Sequence, residues 1–351
     1  MNNHWGICPH NVDIKEQQML GRVIENNREF YLIAVGDRVL RAELKGSLRY
    51  HSQVVLDLPV TGDWVILEHE NDRALICKIL PRSSVLSRKV AGPRTEEQPI
   101  AANIHYVGIV LGLDGGRNYS TRKLERYLTI AWNSGAQPIV ILNKSDLCEN
   151  RESIKREAEF IAPGVDVLLS SAQTGEGIDD LNSMLSIQKT ILLIGPSGVG
   201  KSALTNRLLG KESQRLGENR FADKRGRHTT TCAQMVLLPQ GGQLIDTPGL
   251  KEIQLWGSDD GLDTVFQEIS DIAASCRFRD CSHTGEPSCA VQKALSEGSL
   301  DQGRYLSYLE LKKELDYLES RQNSKAYDKP GTKDKYISKF VKEMKNGKVI
   351  Y

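Results

Sequence analysis

Short apolar runs that alternate with polar residues mark the chain from about Gly21 to Val90. Each run is followed by a turn signal such as VGD, KGS, TGD or ENDR. Runs of this length and period predict β-strands, and five of them in a segment of about 70 residues favour a small barrel or sandwich. The predicted strands are GRVIEN, REFYLIAV, RVLRAEL, DWVILEH and ALICKIL.

The pattern changes after a polar, basic segment, residues 82–103, which we interpret as a linker. Apolar strands then alternate with stretches of helical spacing, which predicts a mainly parallel sheet with helices on both faces. TRKLERYLTIAW, for example, has helical spacing between Ser120 and Gly135, a typical start and stop. AQMVLLPQGGQLIDTPG predicts a hairpin. From about 259 to 320 the pattern is mostly helical.

These changes of pattern divide the chain into five parts. Residues 1–17 show no periodicity and predict a flexible N-terminus, and the last part is a basic tail. Five-stranded barrels of this size are often of the oligonucleotide-binding (OB) type, although a purely structural β domain remains an alternative. The expected domains are 1–17, an OB-type barrel over 18–92, an α/β domain over 93–258, a helical domain over 259–325 and the tail 326–351.

Composition adds little except at the C-terminus. The chain has 351 residues with 39% hydrophobic and 26% charged residues and a net charge of +1, which is typical of soluble globular proteins. It shows no run of roughly 18–20 apolar residues and no signal peptide, so we expect a cytoplasmic protein without a membrane partner. Residues 321–351 carry nine Lys/Arg and three Asp/Glu, so this tail is a solvated end or an arm that binds RNA.

The stretch GPSGVGKS fits the phosphate-loop pattern G-x-x-x-x-G-K-[ST], between an apolar strand and a helix. Glycines let backbone amides point at phosphate oxygens, and the helix N-terminus favours an anion. Lys201 would bridge the β- and γ-phosphates, and Ser202 would bind Mg²⁺. An accidental glycine loop is the alternative. The residues predicted to bind nucleotide here are Gly195, Pro196, Ser197, Gly198, Val199, Gly200, Lys201, Ser202 and Ala203.

Downstream, DTPG places Asp246 at a strand end, where it would reach Mg²⁺, and Gly249 where its amide would sense the γ-phosphate. The polar, aperiodic segment 218–231 between the two motifs is a candidate switch, ordered by Mg²⁺ and γ-phosphate. Either Thr229 or Thr230 would be its metal ligand.

NKSD, at the end of another apolar strand, is typical of a guanine-recognition motif. The Asp146 carboxylate can accept hydrogen bonds from guanine N1–H and N2–H₂, a donor pair that adenine lacks, and such pairing discriminates strongly. Lys144 would cover the base. SSA, also at a strand end, would direct the Ala172 amide to the guanine oxygen. The predicted guanine-site residues are Asn143, Lys144, Ser145, Asp146, Ser171 and Ala172.

The order of these motifs is unusual, because Asn143 precedes Gly195 by 52 positions, whereas GTPases ordinarily carry the phosphate loop first. Moving NKSD and SSA behind DTPG restores the usual order, so the chain is predicted to be a circularly permuted GTPase domain. The segment after DTPG then leads directly into the C-terminal domain, which could couple nucleotide state to that domain.

CRFRDCSHTGEPSC places three cysteines and a histidine within 14 residues. Seven cysteines, an odd count in a cytoplasmic chain, argue against a disulfide framework. Four protein ligands suit a tetrahedral, structural Zn²⁺ site, while free thiols beside an unrelated histidine are the alternative. The predicted zinc ligands are Cys276, Cys281, His283 and Cys289.

Over about residues 20–320 the chain resembles the RsgA family of circularly permuted GTPases. The resemblance is carried by TRKLERYLTIAW, SGAQPIVILNKSDL, GPSGVGKSALTN, GRHTTT, DTPG and the spacing Cys-x4-Cys-x-His-x5-Cys. It implies a multidomain fold: an OB-fold barrel, a permuted α/β phosphate-loop GTPase domain and an α-helical zinc-binding domain. It also implies GTP hydrolysis on the immature small ribosomal subunit and its rRNA, stimulated by the subunit and tied to release. A monomer is expected.

Leu250 stands where Ras-like enzymes place the glutamine that orients the attacking water. Because leucine cannot hydrogen-bond water, His228 beside the threonines is a candidate for this role, or a solvated loop residue or RNA contact. Two alternatives to a subunit-stimulated GTPase remain at this point. They are a nucleotide-gated RNA-binding module with incidental hydrolysis, and a GTPase that acts on tRNA or a membrane partner.

Overall fold

The computed structural model describes three consecutive parts: a β-barrel, an α/β sheet with flanking helices, and a helical C-terminal part. The described residues are 5–8, 12–27, 30–51, 55–70, 73–89, 97–116, 118–185, 188–210, 233–247, 253 and 255–323.

The predicted five-stranded barrel is confirmed. Strand β1 pairs with both β2 and β4, β3 pairs with β5 in parallel, and β5 pairs with β4, so the hydrogen-bonded circuit closes. Alternate side chains fill the interior, among them Val23, Ile33 and Leu67, which have no exposed surface. The elements are β1 (Gln18–Asn26), β2 (Tyr31–Val35), β3 (Arg38–Leu44), α1 (Gly46–His51), the 3₁₀ turn Val55–Asp57, β4 (Trp64–Glu70) and β5 (Arg73–Ile79).

The segment predicted as a linker is instead partly a hairpin, of β6 (Val85–Lys89) and β7 (Glu97–Ala102). Its strands bury Leu86 and Ala101, and Val85 N–H donates to the carbonyl of Ser134. The residue pattern predicts this hairpin poorly because Pro99 interrupts β7 and the apolar positions are few. The boundary expected after residue 92 falls between these two strands.

The α/β part is a sheet whose strands β8, β9, β10, β11 and β13 run parallel, with β12 antiparallel to β13 as predicted. The spatial order is β10-β9-β8-β11-β13-β12, and β12 continues into β1 of the barrel. The strands are β8 (Tyr106–Gly112), β9 (Gln137–Asn143), β10 (Asp166–Leu169), β11 (Thr190–Ile194), β12 (Gln234–Leu237) and β13 (Gln243–Asp246).

Helices of predicted position flank this sheet. In α2 the Ser120 hydroxyl accepts a hydrogen bond from Lys123 N–H, and Leu124, Leu128 and Ala131 form the buried face. The helices are α2 (Thr121–Asn133), a 3₁₀ turn (Ser145–Leu147), α3 (Arg151–Ile161), α4 (Ile178–Met184) and α5, helical over 201–210.

The C-terminal part is helical, as predicted, and packs on α2. Arg126 makes a bidentate ion pair with Glu314, at 2.6 and 2.8 Å. Phe266, Val291 and Tyr305 have no exposed surface. The helices are α6 (Asp260–Val265), α7 (Gln267–Ala273), α8 (Ala290–Ser296) and α9 (Gln302–Asn323).

The N-terminal segment contacts the folded chain where it is described, although the sequence predicted a flexible end. The Trp5 carbonyl accepts a hydrogen bond from Arg22, and Gly6 is buried. Cys8 and Val12 pack against the buried cluster of Trp64, Ile66 and Leu80. Among the described residues, no helix is both long and apolar enough to cross a membrane.

Candidate nucleotide and metal sites

Four predicted motifs meet at one edge of the sheet. NKSD follows β9, SSA follows β10, the phosphate loop follows β11, and DTPG begins at the end of β13. These strands run parallel in one sheet, with β8 between β9 and β11. Their carboxyl ends therefore lie along the same edge, which is where open α/β sheets bind ligands. The permuted order in the chain therefore still brings these four strand ends to one edge of the sheet.

Glycine is required in the phosphate loop. Gly195, Gly198 and Gly200 all have positive φ, at 142°, 83° and 94°. A Cβ on Gly195 would lie 2.1 Å from the carbonyl oxygen of Val110. The loop can therefore pass this close to β8 only without a side chain.

Lys201 opens α5 and turns back over the loop. Its Nζ donates to the carbonyl oxygens of Gly195 and Pro196, each at 2.7 Å. Burial lowers the pKa of Lys201 below its usual value. A desolvated ammonium group at a helix N-terminus is suited to an anionic ligand such as a phosphate.

Asn143 ties the guanine motif to the phosphate loop. Its side chain is buried, and its Nδ2 donates to the carbonyl of Val199 at 2.8 Å. Its Oδ1 accepts from Ser170 Oγ and from the amide of Ala172, both at 3.2 Å. The Ala172 amide, predicted to face a guanine oxygen, thus donates to Asn143 in this structure.

Glu176 was missed by the sequence analysis. Its carboxylate accepts from Ser145 Oγ at 2.7 Å and from Arg151 at 2.9 Å, while its carbonyl accepts from the amide of Ser171. This residue therefore joins NKSD to SSA. Asp146, between these contacts, keeps an exposed side chain at the edge of the sheet.

Lys144 has a left-handed backbone, with φ of 61°, and its Nζ lies 2.6 Å from Asp114 Oδ2. Asp114 is a second residue that the sequence analysis missed, since it follows β8 in a stretch without a recognisable motif. A carboxylate directly after a parallel strand beside the NKSD strand was the signal that could have identified it.

The structure describes two of the predicted Mg²⁺ ligands, Ser202 and Asp246. Ser202 lies in the first turn of α5, which follows β11, and Asp246 is the last residue of β13, the strand beside β11. Both side chains are exposed. Nearby protein atoms desolvate Asp246 and raise the pKa of its carboxyl group, with the Thr247 backbone opposing the shift. An oxygen pair of this kind suits Mg²⁺, which keeps several waters. The predicted residues His228, Thr229, Thr230 and Gly249 lie outside the described residues.

The Cys/His cluster has the spacing of a tetrahedral site. The ligand atoms of Cys276, Cys281, His283 and Cys289 all lie within 4.8 Å of one another. The Cys276 and Cys289 sulfurs are 3.9 Å apart, and each is 3.6 Å from His283 Nδ1. Zinc at about 2.3 Å from sulfur and about 2.0–2.1 Å from nitrogen places tetrahedral ligand atoms roughly 3.6–3.8 Å apart, so these residues fit a zinc ion.

Hydrogen bonds around the cluster fix its loop. Backbone amides of Ala290 and Gln292 donate to the sulfurs of Cys276 and Cys289 at 3.3 and 3.5 Å. The His283 carbonyl accepts from Tyr305 Oη. Such outer contacts orient metal ligands and favour a structural site.

Comparison with known proteins agrees with this geometry. A model of the RsgA GTPase family matches residues 79–256. The small ribosomal subunit biogenesis GTPase RsgA 1 of Oceanobacillus iheyensis is 42% identical over 323 residues, 91% of this chain and 92% of that protein. RsgA of Syntrophotalea carbinolica is 43% identical over 303 residues, 84% of this chain and 82% of that protein. The crystal structure of YjeQ from Thermotoga maritima has a TM-score of 0.63 at 25% identity and covers 88% of this chain and 100% of its own.

Similarity at this level extends over the barrel, the permuted motifs at one sheet edge and the Cys/His cluster. The chain therefore belongs to the RsgA GTPase family and is a GTP hydrolase whose guanine motif precedes its phosphate loop.

Proposed function

We propose that the protein binds the small ribosomal subunit in the cytoplasm and hydrolyses GTP to GDP and phosphate during late maturation of that subunit. Hydrolysis is stimulated by the subunit and leads to release. The observation that carries this proposal is the joint presence, on one chain, of permuted GTP motifs and the zinc-type cluster. A relative that is 42% identical over 91% of this chain is named a small ribosomal subunit biogenesis GTPase.

The nucleotide would lie along the carboxyl edge of the sheet. Asp146 would accept hydrogen bonds from the guanine edge, and Lys144 would cover the base. Lys201, which now donates to two loop carbonyls, would donate to the β- and γ-phosphate oxygens instead. Loop amides over 195–203 would cradle the phosphates at the start of α5.

Ser202 and Asp246 would hold Mg²⁺, with Thr229 or Thr230 as a further ligand and the Gly249 amide at the γ-phosphate. When bound, the ion neutralises charge that develops on the phosphate oxygens. The chain's own contribution is positioning: Asn143 fixes the phosphate loop against NKSD through Val199. Water attacks the γ-phosphorus in line, the bond from this phosphorus to the bridging oxygen breaks, and GDP leaves with that oxygen. The proton lost by the water is released to the solvent, so the products are GDP, phosphate and a proton.

The group that orients this water is the open part of the mechanism, because Leu250 carries no hydrogen-bonding side chain. We propose His228 for it, which His228→Ala tests. A large loss of subunit-stimulated kcat with unchanged GTP affinity supports the role, whereas a wild-type stimulated kcat removes it.

The zinc cluster would hold the C-terminal part in shape, since all four ligand positions are filled by protein side chains. The barrel, this cluster and the basic tail would supply contacts to rRNA. Their roles follow from the family and from charge, and a salt-dependent affinity for small subunits is the expected signature.

The deciding experiment is GTP hydrolysis under multiple turnover with purified small subunits, large subunits or neither. We expect stimulation by small subunits alone, and Lys201→Ala and Asp246→Ala should abolish it. Equal rates in all three conditions would contradict the proposal and favour a nucleotide-gated RNA-binding module with incidental hydrolysis.

A further inference from the structure

Parallel pairing of two strands brings Asp114 close to Lys144. Asp114 follows β8 and Lys144 follows β9, and these strands pair in parallel with Gly112 opposite Asn143. The two side chains form an ion pair of 2.6 Å and are partly buried, with 19% and 28% of their surfaces exposed. The pair stands at the edge where NKSD lies.

Asp114 is itself held in place. Asn118 Nδ2 donates to both carboxylate oxygens, at 3.2 and 3.0 Å. The pKa of Asp114 is lowered, and the hydrogen bond from Lys144 is the largest cause. The amide of Gly116 adds to this effect. Asp114 is therefore an oriented carboxylate at neutral pH.

Lys144 needs such an anchor more than most residues of the site. Its four-carbon side chain has among the largest rotamer entropies of any side chain, and its ammonium group is a point charge without directional preference. If the Lys144 side chain that covers the base were mobile, it would have to be ordered each time a nucleotide binds, and that ordering would reduce the affinity. An ion pair formed beforehand removes this cost.

We propose that Asp114 is a positioning residue for guanine-nucleotide binding. It acts through Lys144, whose stem it holds beside the base site next to Asn143 and Asp146. Asn118 in turn orients Asp114. The inference rests on the proposed function, since it requires that this edge of the sheet binds a guanine nucleotide.

The test is Asp114→Asn, which keeps the shape and a hydrogen-bond acceptor for Asn118 but removes the charge that holds Lys144. We expect fluorescent GDP and GTP analogues to dissociate about 5–20-fold faster and KM for GTP to rise by the same factor. The kcat at saturating GTP should stay within twofold. Unchanged dissociation rates would overturn the proposal.

A matched control separates this role from a general ion-pair effect. Arg122 and Glu310 form an exposed pair of 3.4 Å between α2 and α9, outside the nucleotide edge. Glu310→Gln should leave nucleotide dissociation unchanged. Equal acceleration by both variants would show that Asp114 has no special connection to the base site.

A double-mutant cycle with Lys144→Met tests the route through the lysine. If Asp114 acts by holding Lys144, the double variant should dissociate nucleotide as fast as Lys144→Met alone. Effects that multiply would contradict this route. Urea midpoints measured on the same variants should change little. A purely structural role for Asp114 would instead move these midpoints and leave nucleotide kinetics unaffected.

Asp146→Asn distinguishes failure of this inference from failure of the proposed function. It should shift base preference from guanine to xanthine nucleotides, since an amide complements the xanthine edge. If it does so while Asp114→Asn has no effect, the positioning role alone is refuted. If base preference does not change, the guanine site and this inference both fall.

Discussion

At the scale of single residues, Gly200 shows how closely the two nucleotide motifs fit together. A Cβ there would lie 2.4 Å from Asn143 Nδ2, the atom that donates to the Val199 carbonyl, and the backbone φ is 94°. Gly200→Ala therefore has to displace Asn143 or the loop. We expect destabilisation of about 1–3 kcal/mol and at least about tenfold weaker GDP binding. Urea unfolding and fluorescence titration measure the two effects.

Gly164→Ala is the control for this variant. Gly164 also has a positive φ, at 75°, but no atom lies within 4 Å of a Cβ built on it. It should show a smaller loss of stability, from backbone conformation alone, and normal GDP binding. Similar GDP affinities for both variants would mean that contact with Asn143 does not matter.

His105 gives a pH dependence of known sign. It accepts a hydrogen bond from the Thr190 amide at Nδ1, and burial, with smaller effects of Lys189 and Arg22, lowers its pKa to about 4. The unfolded chain binds a proton near its ordinary pKa of about 6.5, whereas the folded protein stays neutral. The stability from this group is therefore present above pH 6.5 and is lost as pH falls from 6.5 towards 4.

Neighbouring atoms desolvate the imidazole, but the residue as a whole is exposed, so solvent screening makes the expected effect modest. Between pH 7 and pH 5 the wild type should lose about 1 kcal/mol more than His105→Asn, which offers an oxygen to Thr190 but does not titrate. Urea unfolding at both pH values measures the difference. Parallel losses in the two proteins would show that His105 does not titrate abnormally.

The residues of this edge differ in how visible they were in the sequence. Asn143, Gly195 and Asp246 could be predicted because phosphate and guanine recognition need fixed residue types at fixed local spacing. Asp114 and Glu176 belong to no local motif, and their partners lie 30 and 31 positions away in the chain, at Lys144 and Ser145. The position of Asp114 after a parallel strand was the one sign of it in the sequence. Such contacts exist only once parallel strands bring their ends together.

At the scale of elements, the junction between barrel and GTPase sheet depends on a buried arginine. Arg22, on β1, is 1% exposed, and burial lowers its pKa to about 10, so it remains charged at neutral pH. Its guanidinium donates to five acceptors from both sides of the junction. These are the carbonyl oxygens of Trp5, Gly62 and Asn103 and the side-chain oxygens of Thr190 and Gln243.

Arg22→Met should destabilise the protein by about 3 kcal/mol, since it leaves buried acceptors without a donor. Arg22→Lys should recover little, because an ammonium group cannot reproduce the planar fork. Arg41→Met is the control: Arg41 is exposed, 4.0 Å over the Phe30 ring, and its loss should cost less than about 1 kcal/mol. Equal urea midpoints for the Arg22→Met and Arg41→Met variants would show that Arg22 does not stabilise the junction between the barrel and the GTPase sheet.

Elements were predictable where apolar positions recur at a clear period between start and stop signals, as in α2 and the barrel strands. The hairpin of β6 and β7 was not, because it has few apolar positions and Pro99 removes an amide donor from β7. It is held by burial of Leu86 and by the bond from Val85 to Ser134, which belong to tertiary structure. Local propensity says little about an element of this kind.

At the scale of the whole molecule, the permuted order has a structural consequence. β12 follows the candidate switch segment and pairs with β1 of the barrel, where Glu25 lies opposite Gln234 and Thr61 Oγ donates to the Ala233 carbonyl. The chain after β13 leads instead to the helices around the Cys/His cluster. Motif order predicted that the chain after DTPG leads into the C-terminal part, but it did not predict the pairing of β1 with β12, which joins the barrel to the GTPase sheet.

Contacts continue from the cluster to the GTPase part. Tyr305, on α9, donates to the His283 carbonyl, and Cys289 caps α8. Further along α9, Glu314 pairs with Arg126 on α2. Metal removal should therefore loosen the loop of the cluster and α8 first and the start of α9 next. The barrel should stay folded, because its core does not depend on the cluster.

Zinc chelation followed by hydrogen exchange tests this sequence of effects. Exchange should rise first over 276–300, then in the N-terminal half of α9, because the metal fixes the loop that Tyr305 binds. Cys276→Ser should bind less than half an equivalent of zinc and show the same pattern, whereas Cys77→Ser, in the barrel, should retain zinc. Faster exchange in the barrel, or none in α8 and α9, would mean that the metal does not hold the C-terminal part together. Because Glu314 anchors α9 to α2 independently of the loop, the C-terminal half of α9 should remain protected even without metal.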